Sequence, residues 1–187
     1  MSEFRLSSRY AKSLFDLALE KGQLESVNND MRSLQNTIKE SREFQALLKS
    51  PVVLPDKKIA ILEQIFSSRF NVITMTFLKL VANKRREEYL RSVTEEFVNF
   101  YNLNEKITPV TVTTAIEVDA EVLNNIKLLF TKSTGVTNIE LTNIVDPSIL
   151  GGFTMQYGDK LLDASISRQL EAMDDQFLHN LFLKRYN

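Results

Sequence analysis

Cysteine and tryptophan are both missing from this 187-residue chain, histidine occurs once, and there are only five glycines and four prolines. Without cysteine there is no disulfide framework, no thiolate metal site and no cysteine nucleophile, a usage that fits a reducing compartment. The one histidine, His179, has no nearby serine or carboxylate pattern and reads as an ordinary surface residue of a terminal helix. Scarce glycine and proline argue against low-complexity linkers. No apolar run reaches the roughly 18 residues that a transmembrane helix needs. The opening MSEFRLSSRY enters an amphipathic pattern at once, without the apolar segment of a signal peptide. Its Arg5, Arg9 and serines imitate a transit peptide only faintly. Neither sign of charge prevails: 23 Lys and Arg stand against 24 Asp and Glu, a formal net charge of −1. A dedicated nucleic-acid binder normally carries a basic excess, and an anionic membrane would gain no purchase on this chain by charge alone.

What is present is ordinary soluble-protein material, 43% hydrophobic and 25% charged, enough for a real core in one large domain or two small ones. The first hundred residues read as about six helices. After an opening helix and a break at Gly22, Leu24, Val27, Met31, Leu34 and Ile38 recur with helical period. Phe44, Leu47 and Leu48 make a short helix ending near Ser50-Pro51. Pro55-Asp56 opens another, with proline suited to the first turn and aspartate to the helix dipole. Two more cover roughly residues 70–83 and 84–102, the latter turning Tyr89, Leu90, Val93, Phe97, Phe100 and Tyr101 inward.

The period then changes. Residues 107–115 alternate valine and threonine, which is strand composition. Asp119 is placed to cap a helix carrying Val122, Leu123, Ile126, Leu129 and Phe130, which stops near Gly135. Strands are expected at 139–145, 153–157 and 160–162, then a helix from about Ser165 striped by Ile166, Leu170, Met173, Phe177 and Leu181. Between the first two of these strands lies Asp146-Pro147-Ser148-Ile149-Leu150-Gly151-Gly152, and between the last two a Gly158-Asp159 turn. Pro147 fixes φ and removes a donor, and the glycine pair supplies backbone angles that side chains forbid, so the connector reads as a structured turn joining two strands. The fold class is α+β: a six-helix bundle over residues 1–104, then a small α/β domain with a short sheet and a terminal helix over 105–187.

Two helices carry more apolar surface than one core requires. At 100° per residue, Leu6, Tyr10, Ala11, Leu14, Phe15, Leu17, Ala18 and Leu19 cover an arc of roughly 220°, where a surface helix normally shows about 100° or slightly more. The surplus is covered either by neighbours in the same domain or by a groove-seeking helix from another protein, and the small Ala11 and Ala18 would permit close approach. The helix over 70–83 is apolar nearly all round, and its most mixed face, Val72, Thr76, Lys79, Leu80 and Asn83, is the one expected near solvent or a partner.

Enzyme chemistry finds no foothold. Gly151-Gly152 matches neither GxGxxG nor GxxxxGK[ST]. Asp174 and Asp175 are adjacent on a helix and diverge, as solvated residues do. Lys84-Arg85-Arg86 is the best basic cluster, but Glu87 and Glu88 follow at once, so it reads as a solvated helix start. A nucleic-acid-binding protein or another kind of adaptor is the alternative class. The first would show salt-sensitive affinity, and an enzyme would need convergent ionisable groups in a pocket.

The stretch IELTNIVDPSILGGFTMQYG over 139–158, with its aliphatic spacing, Asp146, Pro147, Gly151, Gly152 and Gly158, resembles the signature of the ATP synthase delta subunit family, which includes the mitochondrial oligomycin sensitivity conferral protein. SSRYAKSLFDLALEKGQLE resembles the opening helix of that family, LLKSPVVLPDKKIAILEQIF and FLKLVANKRREEYLRSVTEEFVNFYN its middle helices, and DKLLDASISRQLEAM the entry to its last helix. Ala164 and Ser167 depart mildly, standing where the family often has glycine or a basic or aliphatic residue. The resemblance implies a non-catalytic stator subunit of a bacterial F-type ATP synthase, without cofactor or metal and monomeric when isolated. It would sit at the cytoplasmic face of the inner membrane and touch that membrane only through the complex. In the family the helical domain binds the N-terminal helix of an alpha subunit, with the beta subunit as a further candidate, and the C-terminal domain joins the b-subunit dimer. Nucleic acid is not an expected partner. Carried onto this chain together with the surplus apolar arc, this places Tyr10, Ala11, Leu14, Phe15 and Ala18 in a groove facing Thr76, Lys79, Leu80 and Asn83. The connector glycines would serve turn geometry first.

Overall fold

Six helices make up the first part of the chain in the computed structural model, which describes residues 3–136 and 138–173. They are α1 (Glu3–Glu20), α2 (Leu24–Glu40), α3 (Arg42–Lys49), α4 (Pro55–Phe66), α5 (Val72–Asn83) and α6 (Leu90–Asn104). His179, Asp174, Asp175, Phe177 and Leu181 lie outside the described residues. Backbone contacts divide the chain into two units, Met1–Glu105 and Lys106–Asn187. In the first unit, Leu14, Met31, Leu34, Leu62, Leu78, Leu90 and Phe97 share one buried cluster. Helix α1 lies along α6, and α2 packs against α6 as well.

Local chemistry explains where these helices stop and start. Gly22, at φ 65°, ends α1: its amide donates to the Leu19 carbonyl and that of Gln23 to the Ala18 carbonyl, the paired bonds of a Schellman cap. Helix α5 ends the same way, but Arg85 takes the left-handed position, at φ 53°. The Arg85 amide donates to the Ala82 carbonyl and that of Arg86 to the Val81 carbonyl. Lys84-Arg85-Arg86 is therefore the closing turn of α5 rather than the start of the next helix. A short 3-10 turn, Glu87–Tyr89, intervenes before α6. Arginine in that position carries no sequence signal of a helix end. At the other end of α5 the expected start at Phe70 moves to Val72, because Asn71 caps the helix by accepting from the Ile73 amide at 2.9 Å, while Phe70 stacks on Phe66.

Two buried polar groups hold the bundle in register. Asp30 of α2 accepts from the Asn71 amide at 2.8 Å and from the Thr74 hydroxyl at 2.7 Å, so its carboxylate sits at the N-terminus of α5, the end that favours negative charge. Lys58 of α4 is only 2% exposed. Its ammonium donates to the Leu48 carbonyl at the end of α3 and pairs with Glu87. A buried cation is tolerable only with such partners. Lys58, Leu62 and Phe66 hold the inner face of α4, while Ile65 is exposed.

The second unit is a four-stranded sheet of order β2-β1-β3-β4, with β1 (Thr108–Thr114), β2 (Ile139–Val145), β3 (Gly152–Tyr157) and β4 (Lys160–Ser165). Helix α7 (Ala120–Thr134) carries the chain from β1 to β2, which pair in parallel as such a crossover requires. Ile126 and Phe130 of α7 pack with Val110, Val112, Ile139 and Met155, and Phe130 meets the Tyr157 ring edge-on at 4.8 Å. On β1, Thr111 and Thr113 alternate with those valines, which gives the sheet one apolar and one polar face.

Strand β4 runs to Ser165, three residues beyond the expected end, and a helix follows over 166–173. Ser165 caps that helix, its hydroxyl accepting from the Arg168 amide at 3.2 Å.

The connector 146–151 joins two strands that are not neighbours. Strand β1 lies between β2 and β3, so the chain passes across the end of β1, where the Asp146 amide donates to the Thr114 carbonyl at 2.8 Å. Asp146 caps a 3-10 turn, Pro147–Ile149, with Pro147 in its first position. Gly151 and Gly152 then pass against the chain that begins the last helix. A Cβ on Gly151 would lie 2.6 Å from the Ile166 side chain, and one on Gly152, at φ 72°, would lie 2.3 Å from the Ala164 carbonyl oxygen. Gly158 opens the two-residue hairpin between β3 and β4 at φ 55°.

The backbone amide and hydroxyl of Ser148 hold the Asp146 carboxyl below the ordinary aspartate range, and the hydroxyl and amide of Ser165 do the same for Asp163.

Three outcomes follow from these contacts. Asp30→Ala strands the Thr74 hydroxyl and the Asn71 amide, and should cost about 3 kcal/mol in urea unfolding followed by helical circular dichroism. Gly152→Ala should loosen the second unit by about 2 kcal/mol or more, read as faster amide exchange across β3 and β4. An NMR titration should find both carboxyls, Asp146 and Asp163, with midpoints below that of an unstructured aspartate, near about 4. Because the folded values are the lower ones, the stability these groups add is present above the unfolded pKa and is lost as pH falls through the folded values.

Candidate partner-binding groove

Helix α1 is seated on α6 through its smallest side chains. Ala11 and Ala18 are 0% exposed, and Phe15 packs edge-on against Phe97 at 6.1 Å and on Phe100 at 6.2 Å, both on α6. That contact consumes one side of the wide apolar arc. The rest of the arc, one helical step round, is left for a different neighbour.

That neighbour is α5. A groove of about 450 Å³ runs between the two helices, lined on α1 by Tyr10, Ser13, Leu14, Leu17 and Lys21. On α5 the lining is Val72, Ile73, Thr76, Phe77 and Leu80. Residues 10, 14, 17 and 21 recur at intervals of four, three and four, which is one face of a helix. Tyr10 meets Phe77 edge-on at 6.3 Å, and the Arg86 guanidinium lies 5.8 Å above the Tyr10 ring. The upper walls are open to solvent: Leu17 is 42%, Val72 79% and Leu80 47% exposed. Three large apolar side chains along one trough are more than scattered surface residues.

Of the nine positions expected to form the groove, the structure brings Tyr10, Leu14, Thr76 and Leu80 together along it. Ala11 and Ala18 lie in the core, and Phe15 sits on the α6 side of α1. Lys79 and Asn83 are exposed on α5 but outside the lining, and Lys79 pairs with Glu63 of α4 at 2.5 Å. An ion pair so accessible to water contributes little, about 1 kcal/mol at most.

Ser13, Leu17, Lys21, Val72, Ile73 and Phe77 complete the lining. Leu17 and Val72 are visible in the sequence, as part of the surplus apolar arc and of the mixed face of α5. Ser13 and Lys21 gave no signal, because a serine and a lysine on a helix read as its solvated side.

The groove has the chemistry of a docking surface rather than a reaction centre. Lys21 is its one charged lining residue, and no carboxylate or imidazole is among the residues that form it. Among the described residues, no group of three or more His, Cys, Asp or Glu could hold a metal ion, and no helix is long and apolar enough to cross a membrane.

A model of the ATP synthase delta (OSCP) subunit matches residues 6–177. The ATP synthase subunit delta of Cytophaga hutchinsonii is 35% identical over 177 residues, covering 95% of this chain and 96% of that one. That of Lactobacillus johnsonii is 33% identical over 180 residues, covering 96% and 98%. Among solved structures, a chain of the Toxoplasma gondii mitochondrial ATP synthase hexamer superposes with a TM-score of 0.73 at 26% identity, over 92% of this chain and 97% of that one. With a family model over most of its length and near-full-length relatives above 30% identity, the chain belongs to the ATP synthase delta (OSCP) subunit family.

Proposed function

We propose that the α1/α5 groove receives the amphipathic N-terminal helix of an ATP synthase alpha subunit, and that this grip anchors the chain to the catalytic head. As a delta (OSCP) family member the chain is a peripheral-stalk subunit of an F-type ATP synthase, a structural component that associates with other subunits of a membrane-associated complex. The reading adds that it has no active site of its own. It holds the head still while the rotor turns, so that ion translocation stays coupled to ATP synthesis.

The observation that carries the proposal is the open apolar trough. Helix-in-groove recognition inserts side chains at i, i+3, i+4 and i+7, and Leu17, Val72 and Leu80 offer the partly exposed walls that such side chains would cover. An interface at the low end of the usual size, about 1,200 Å² and rather more than half apolar, yields roughly 17 kcal/mol gross at about 25 cal/mol per Å². Against about 4–15 kcal/mol for lost freedom, this one contact gives anything from weak to nanomolar binding. The second unit would supply the other attachment, to the b-subunit stalk. Its helix over 166–173 presents Ile166, Leu170 and Met173 to solvent at i, i+4 and i+7. In a bacterial cell the assembly would stand at the cytoplasmic face of the inner membrane.

Isothermal titration of the full chain with a synthetic alpha-subunit N-terminal peptide tests the groove. Leu17→Asp with Leu80→Asp should weaken binding at least a hundredfold while the helical circular dichroism signal is retained. Unchanged affinity in that folded variant removes the assignment.

A further inference from the structure

The groove is apolar along its length, with the cation Lys21 in its lining at one end and, at the other, Arg86 outside the lining but against the Tyr10 ring. Lys21 shares the lining at one end with Val72 and Ile73, and at the other end Tyr10 meets Phe77 beneath the Arg86 guanidinium. Helices α1 and α5 therefore run antiparallel, and the two cations mark the ends of one trough. Among the described residues neither Lys21 nor Arg86 is in a salt bridge. The acids nearest along the chain, Asp16 and Glu20 on α1 and Glu87 and Glu88 after Arg86, lie outside the lining; Glu87 is buried against Lys58, and Glu88 stands beside Tyr89.

The spacing of the ends has a geometric consequence. Tyr10 and Lys21 are eleven residues apart on one helix, about 16 Å at 1.5 Å per residue. Eleven residues make very nearly three whole turns, so a helix lying along the trough returns to the same face after that interval. It can then meet both cations from one side.

We propose that Lys21 and Arg86 are specificity residues that select a helix with an acidic side chain at each end of its apolar stripe, about eleven residues apart. This rests on the groove reading above. The cations fix register as well as identity: a helix slid by one turn keeps its apolar fit but loses both charge pairs. Like charges at those positions would be rejected, because a cation placed against Lys21 or Arg86 is repelled in a partly desolvated site.

Fluorescence anisotropy on the full chain provides the test. Two probes are used: the alpha-subunit N-terminal peptide, and a copy with lysine replacing whichever residues fall at the two mouths. For the native peptide, Lys21→Glu with Arg86→Glu should lower affinity about tenfold at 50 mM salt, and the loss should shrink at 0.5 M salt. The lysine-bearing peptide should bind the reversed variant better than it binds the original chain. The milder pair Lys21→Gln and Arg86→Gln should fall between, which guards against a misfolded reversal. Should the reversed and neutral variants bind the native peptide like the original chain while Leu17→Asp with Leu80→Asp does not bind, the charge proposal fails and the groove reading stands. Should none of the three variants lose affinity, both fall. Sedimentation showing that a second copy of this chain occupies the groove would overturn both as well.

Discussion

The carboxylate of Asp30 is inside the bundle, yet the exposed surface depends on it. By accepting from the Asn71 amide and the Thr74 hydroxyl it pins the first turn of α5 to α2, and Asn71 in turn caps that turn through Ile73. Val72, Ile73, Thr76 and Phe77 follow within two turns, so the wall they form inherits its position from this anchor. The charge suits the place, since a helix N-terminus favours an anion and the buried Thr74 hydroxyl needs an acceptor. Facing that wall, α1 is seated on α6 with Ala11 and Ala18 fully buried, their lack of bulk permitting a close approach. A groove between two such anchored helices would need little ordering to receive the proposed helix.

That rigidity matters for a stator. One helix in one trough gives a contact whose strength spans a wide range, because gross burial and the cost of association are of similar size. A subunit that must not let go does better with two attachments, where release of one leaves the other to hold the first at high effective concentration. The division into two units, each with its own core, suits such a role. The same logic assigns the Gly-Gly connector to support rather than contact. Gly151 and Gly152 allow the chain to pass within touching distance of Ile166 and Ala164, and so fix where the last helix begins.

Most helix and strand positions could be read from period and punctuation. The Thr-Val alternation of β1, the Gly135 stop of α7 and the Pro55 start of α4 are local signals, and local chemistry produces them. The misses share a cause. The end of α5 at Asn83 was legible, but Arg85 closes the helix in a conformation that glycine usually supplies, so Lys84-Arg85-Arg86 read as the beginning of the next helix. Lys58 holds an inner position because the Leu48 carbonyl and Glu87 wait there for it, partners ten and twenty-nine residues away in sequence. At the groove, the mixed face of α5 pointed to Val72, Thr76 and Leu80, which line it, whereas the apolar surplus of α1 did not say which of its faces was spare.

Helical period, turn chemistry and the spacing of the 139–158 stretch are properties of neighbouring residues, so the chain itself determined its α+β class, most of its elements and its family. The side of α1 that faces α6 is a contest between alternatives about 100° apart, decided only by packing: Ala11, Phe15 and Ala18 go inward, leaving Tyr10, Leu14, Leu17 and Lys21 to line the trough. Strand order is equally non-local, for nothing between Val145 and Gly152 says that β1 will lie between the strands they end and begin. Tertiary structure settled both, because a face becomes a groove, and a turn becomes a crossing, only through what lies opposite.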